Sequence, residues 1–167
     1  AQLNAALATF KPLDGIAFSQ DSSLCQQLWA IRKGLFPAVG PVRDTGTTVI
    51  IEDIAVPVEQ LAQATRELQA LFRQYGYNEA IIFGHALDGN LHFVFTQDFN
   101  SPEQIQRYQE FMQAVVVLVA IDHQGSLKAE HGTGRNMAPF VELEWGKKAY
   151  ELMWDIKGLL DPDNILS

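Results

Sequence analysis

Apolar and polar positions follow two rhythms along this chain. In "QDSSLCQQLWAIRKGLF", Leu24, Leu28, Ile31 and Leu35 recur at helical spacing behind the N-cap candidates Asp21 to Ser23, which predicts a helix. The Pro- and Gly-containing stretch 37–47 predicts a loop. "TTVIIEDIAV" (47–56) is β-branched and predicts a strand stopped by Pro57. A helix to about Tyr75 should follow, with Val58, Leu61, Leu68, Leu71 and Phe72 inward and Gly76 as its C-cap. In "IIFGHALDGNLHFVF" (81–95), two strand-like runs flank Asp88-Gly89, the strongest short-range hairpin signal. A two-residue loop there pairs Leu87 with Asn90, Ala86 with Leu91 and His85 with His92, so both imidazoles share a face. Ser101, Pro102 and Gln104 then spell a capping box before "IQRYQEFMQAVVVLVA". A last helix over about 146–160 ends at Asp161-Pro162, and residues 3–10 carry a further helix pattern before the short apolar segment "GIAFS".

The order strand, helix, strand, strand, helix is the core of a split ferredoxin-like unit. The expected class is α+β, an antiparallel sheet with helices packed mainly on one face, as a single domain over 1–167. A fourth strand should lie around 124–131, where "GSLKAEH" is the candidate.

Composition narrows the field. The net charge is −8, and the basic residues occur at most in pairs, Arg32-Lys33 and Lys147-Lys148, which argues against nucleic acid or an anionic membrane as partner. The single cysteine, Cys25, excludes an internal disulfide and a cysteine-only metal or iron–sulphur site within this chain. A reduced, cytoplasmic setting fits it. The longest apolar run, "AVVVLVAI" (114–121), falls far short of the roughly 20 residues that span a bilayer. Both ends are abrupt, so the chain is expected to be a piece of something larger.

Three of the four histidines fall in two Gly-bounded motifs, "GHALDGNLH" and "AEHGTGR". Imidazole nitrogen with carboxylate oxygen suits zinc and several other divalent transition metals, and His85, His92 and Glu130 would leave a coordination position open for water or substrate. His131, adjacent to Glu130, would face the substrate rather than the ion. The same residues also suit a hydrogen-bonded edge pair and a polar turn, and spacing alone does not choose.

"GHALDGNLHF", followed some forty residues later by "EHGTGR" and then by "LDPDNIL", resembles the C-terminal substrate domain of FAD-linked oxidases, the family of D-lactate, glycolate and D-2-hydroxyglutarate dehydrogenases. "EHGTGRNMAPFVELEWG" is most similar to the large members with a C-terminal iron–sulphur domain. The likeness runs from about Leu28 to Leu166. It implies metal ligands at His85, His92 and Glu130, an active-site histidine at His131, and, through "LWAIRKG", a substrate-carboxylate contact at Arg32. Asp88 and Asn90 match the family's turn and Asp53 an acidic strand-end position; structural roles are expected for all three. Relatives acting on 2-hydroxyglutarate tend to carry a polar residue where Val94 stands and a Lys near Ile51, so the substrate or its contacts should differ.

The implied activity is oxidation of a D-2-hydroxy acid by metal-assisted hydroxyl deprotonation, with hydride transfer to FAD. The flavin would be bound mainly by a domain missing here, since no glycine-rich pyrophosphate cradle is present, and any iron–sulphur cluster would lie outside this chain. The isolated chain is therefore expected to be inactive. The implied partners are a small 2-hydroxy acid, the flavin-binding domain of the same polypeptide and an electron acceptor, the last offering a route to peripheral membrane attachment. Two alternatives need only this chain: a flavin-independent metallohydrolase using the same His/His/Glu set, and a non-catalytic docking domain.

Overall fold

The computed structural model describes residues 19–166, without the side chains of residues 35–42. The helix pattern at 3–10 and "GIAFS" lie outside the described residues. The chain divides after Ala38, near the start of the stretch expected to be a loop, into two compact units.

Helix α1 spans Ser22–Val42. Asp21 caps it, its Oδ1 accepting the Leu24 N–H at 2.8 Å. It continues into the stretch expected to be a loop, as far as Val42. A proline's fixed φ is itself helical, so Pro37 and Pro41 cost the helix hydrogen bonds without forbidding its torsions. The predicted apolar face is exposed at Leu24, Leu28 and Ile31.

In the larger unit, β1 (Thr47–Ala55), β2 (Ile81–His85) and β3 (Asn90–Asp98) form an antiparallel sheet in the order β1-β3-β2. A short 3₁₀ turn at Val58–Gln60 leads into α2 (Leu61–Gln74), which ends at Gly76 with φ +76° as expected. Helix α3 (Pro102–Val116) follows Ser101, whose Oγ accepts the Gln104 N–H at 3.3 Å. The other half of the capping box does not form, for Gln104 Oε1 is buried without a hydrogen-bond partner among the described residues. A wider π turn at Val117–Asp122 continues α3, and α4 (Gly134–Met137), α5 (Val141–Trp145) and α6 (Lys147–Leu160) close the chain.

Alternation along the strands sorts the sheet into two faces. Ile50 and Ile54 of β1 and Leu91, Phe93 and Phe95 of β3 point toward α2 and α3, where they meet Ala64, Leu68, Phe72, Phe111, Met112 and Val115 in one buried core. Of the side chains expected inward on the 57–75 segment, Leu68 and Phe72 are buried, Leu61 and Leu71 pack against the core, and Val58 is exposed. Phe72, Tyr77, Phe95 and Phe111 pack in tilted and edge-to-face contacts, with centroids 4.6 Å apart for Tyr77–Phe95 and 5.1 Å for Phe95–Phe111. This is the expected α+β arrangement with helices on one face.

Two expectations about pairing are corrected. The hairpin loop holds four residues: Ala86–Asp88 form a 3₁₀ turn and Gly89 takes φ +66°, so His85 pairs with Asn90 and Phe83 with His92. A four-residue loop moves the register by two, and the side-chain period is also two, so His85 and His92 still share a face as diagonal neighbours. Gly89 is required twice over, by its left-handed φ and because a Cβ there would lie 2.0 Å from the Val56 carbonyl oxygen. The fourth strand reduces to one bridge, Ala55 to Ser126. Ser126 Oγ donates to the Lys128 carbonyl at 2.9 Å, a local turn that bends the backbone away before a ladder can extend.

Candidate metal centre

The candidate site lies on the face turned away from α2 and α3. On it, Asp53 of β1 stands directly opposite His92 of β3, and His85 ends β2. The loop 127–133 brings Glu130 and His131 to them. Glu130 Oε1 lies 3.0 Å from His92 Nε2 and 3.4 Å from His85 Nε2. One ligand atom each from His85, His92 and Glu130 fall within 4.8 Å of one another. The three residues nominated as ligands therefore converge. The imidazole of His131 stacks on that of His92, centroids 4.8 Å apart, and its Nε2 is 3.9 Å from Glu130 Oε1.

The loop is held from below. Asp53 is fully buried, and its Oδ2 accepts the backbone N–H of Glu130 at 2.7 Å and that of His131 at 3.3 Å. Lys128 hydrogen-bonds Glu52 and stands 3.7 Å from Asp53 Oδ1. Asn136 donates to Glu52 Oε1 at 2.5 Å and accepts from the Tyr108 hydroxyl at 2.9 Å. Burial, aided by the Glu52 charge, pushes the Tyr108 phenol up to about 12, so it stays a donor. This network escaped the sequence reading. One signal was available: Ile50, Glu52 and Ile54 share a face by period two, so Glu52 points into the core and needs a cationic partner.

The donor set fits a divalent cation on three counts. The Glu130 carboxylate has only imidazoles, those of His85, His92 and His131, within ion-pair distance among the described residues, so no fixed cation competes with an ion for it. His92 is buried, and that burial first, with His131 beside it, holds its pKa below the usual range, which keeps the ring neutral as a ligand must be. His85 and Glu130 are about half-exposed, so an ion has an approach from solvent and an open side toward it.

Of the remaining nominated residues, Asp88 lies in the hairpin turn, and Asn90 Nδ2 donates to the Ile54 carbonyl at 3.1 Å, tying that turn to β1. Arg32 sits on α1 in the other unit, exposed, with its guanidinium 5.5 Å over the Trp29 ring. Its proposed carboxylate contact rests on the resemblance of "LWAIRKG" alone.

Residues 1–167 match the family model described as "FAD linked oxidases, C-terminal domain". The chain is 29% identical over 142 residues to glycolate oxidase subunit GlcD of Bacillus subtilis (strain 168), covering 85% of this chain and 30% of that protein. It is 31% identical over 154 residues to "Probable D-2-hydroxyglutarate dehydrogenase, mitochondrial" of Oryza sativa subsp. indica, covering 92% of this chain and 26% of that one. It is 27% identical over 165 residues to "D-lactate dehydrogenase [cytochrome] 1, mitochondrial" of Saccharomyces cerevisiae, covering 97% and 27%. The chain thus spans less than a third of the length of these relatives. It belongs to the FAD-linked oxidases, as a C-terminal domain of that family.

Proposed function

We propose that this member of the FAD-linked oxidases is the substrate and metal domain of an enzyme that oxidises a D-2-hydroxy acid of the lactate, glycolate or 2-hydroxyglutarate type. The carrying observation is the meeting of His85, His92 and Glu130 around one point beside His131. A divalent cation held there by His85 Nε2, His92 Nε2 and a Glu130 oxygen, zinc by the character of the ligands, supplies Lewis acidity, while FAD bound by another part of the polypeptide supplies the two-electron acceptor.

Oxidising a 2-hydroxy acid removes a proton from oxygen and a hydride from carbon. The chain's own residues deal with the proton. His131 is partly exposed and adjacent to a ligand, and an imidazole placed beside bound substrate is the commonest general base. Its Nδ1 stands 3.8 Å from Asp53 Oδ1, and Nε2, on the side of the ligand set at 3.9 Å from Glu130 Oε1, is the atom assigned to take the hydroxyl proton. The stacking of His131 on His92 fixes the height of that nitrogen over the ligand set. Asp53, holding both backbone N–H groups of the Glu130-His131 pair, keeps base and ligand in register.

Helix α6 supports a role inside a larger protein. None of its residues is buried, and Leu152, Trp154, Ile156, Leu159 and Leu160 are exposed, a surface suited to burial against the flavin-binding part. No helix among the described residues is long and apolar enough to cross a membrane.

The test is dye reduction with D-lactate, glycolate and D-2-hydroxyglutarate, run on the intact protein and on this chain with added FAD. Turnover by the intact protein only is expected. Turnover by this chain alone would overturn the division of labour, and hydrolysis of an ester or amide without flavin would point instead to the metallohydrolase.

A further inference from the structure

Asp53 has more capacity than its loop contacts use. It is fully buried, directly cross-strand from buried His92, and on the same face. Its Oδ2 is occupied by two backbone N–H groups. Its Oδ1 has no hydrogen-bond partner, and neither does His92 Nδ1, although both atoms are buried. A carboxylate oxygen and an imidazole nitrogen left unsatisfied in facing buried residues are each destabilising unless something pairs them. Ligand-type atoms of Asp53, His92 and His131 also lie within 4.8 Å of one another, which would make Asp53 a ligand in its own right. The Lys128 ammonium, 3.7 Å from Oδ1, argues against that by placing a cation where the ion would have to sit.

We propose that Asp53 is the positioning residue of the centre: Oδ1 receives the Nδ1 proton of His92, turning the Nε2 lone pair to the ion, while Oδ2 sets the Glu130-His131 backbone. One carboxylate thereby aligns a ligand from β3, a ligand from the loop and the neighbouring base. A metal-bound histidine usually donates its second N–H to a carboxylate or carbonyl, which fixes the tautomer and raises ligand basicity. Here that carboxylate would come from the neighbouring strand, from the residue directly opposite His92.

This inference rests on the metal reading above, and the experiment separates the two. Zinc affinity of the intact protein is measured by competition with a chromophoric chelator, for the unsubstituted protein and for Asp53→Asn. The amide keeps an oxygen for the backbone N–H groups but turns an NH₂ toward His92, which favours the wrong tautomer. A weakening of roughly 10–100-fold is expected, with an unchanged circular dichroism spectrum. In the zinc-loaded, ¹⁵N-histidine-labelled unsubstituted protein, the His92 Nδ1 proton should be slow to exchange with water; this readout needs no variant. Affinity within twofold of the parent in Asp53→Asn, or a freely exchanging Nδ1 proton, overturns the role of Asp53 alone. No zinc bound by the unsubstituted protein overturns the metal centre and this role with it.

Discussion

On one face of the sheet, Phe93 and Phe95 of β3 lie fully buried among Phe72, Tyr77 and Phe111. One residue away on the same strand, His92 turns the other way, toward His85, Glu130 and His131. The first face gains from close packing and exclusion of water; the second holds ionisable groups that packing alone would penalise. Period-two alternation lets one strand serve both, so the chemistry can vary while the core stays intact. Glu52 crosses this division. It sits on the core face, 2% exposed, and is tolerable there because Lys128 and Asn136 engage both its oxygens.

Truncating the core should give the largest loss. Phe93→Ala is expected to lower stability by roughly 3–5 kcal/mol in chemical denaturation, whereas His92→Ala on the opposite face should cost clearly less. Equal losses would mean the two faces are not separable. Next comes the residue linking them: Lys128→Met strands Glu52 and Asp53 without their cation and should cost roughly 3 kcal/mol. Adding Glu52→Gln should recover part of that, and a double-mutant cycle showing simple additivity would contradict the coupling.

The smallest effect concerns pH. In metal-free protein His92 titrates below its unfolded value near 6.5, so between these two values the unfolded chain binds a proton that the native chain does not. Stability should therefore fall as pH drops from about 6.5 toward the folded value and then level off. The slope should shrink in His92→Gln; an unchanged slope would place the titration elsewhere.

Local signals were the most legible part of the sequence. Asp21, Ser101 and Gly76 act within three or four residues of themselves, and each caps the helix expected of it. Features set by distant partners were harder to read. The two-residue loop gave way to four because Gly89 must also meet Val56, whose N–H it accepts at 3.0 Å. The extended segment expected at 124–131 folded into a turn because Ser126 bonds its own backbone neighbour. For the site, the spacing of His85 and His92 survived a wrong register only because the error was an even number. Glu130 was nominated by motif, not by any local pattern. Lys128 and Asn136 were invisible, since their partner Glu52 lies 76 and 84 residues away.

The central claim, that His85, His92 and Glu130 form one metal centre, is tested most directly by elemental analysis of the intact protein after zinc supplementation and desalting, beside His85→Ala/His92→Ala. One zinc per chain in the parent and none at this site in the variant is the predicted result. A parent without metal, or a variant that keeps its full complement, would contradict it.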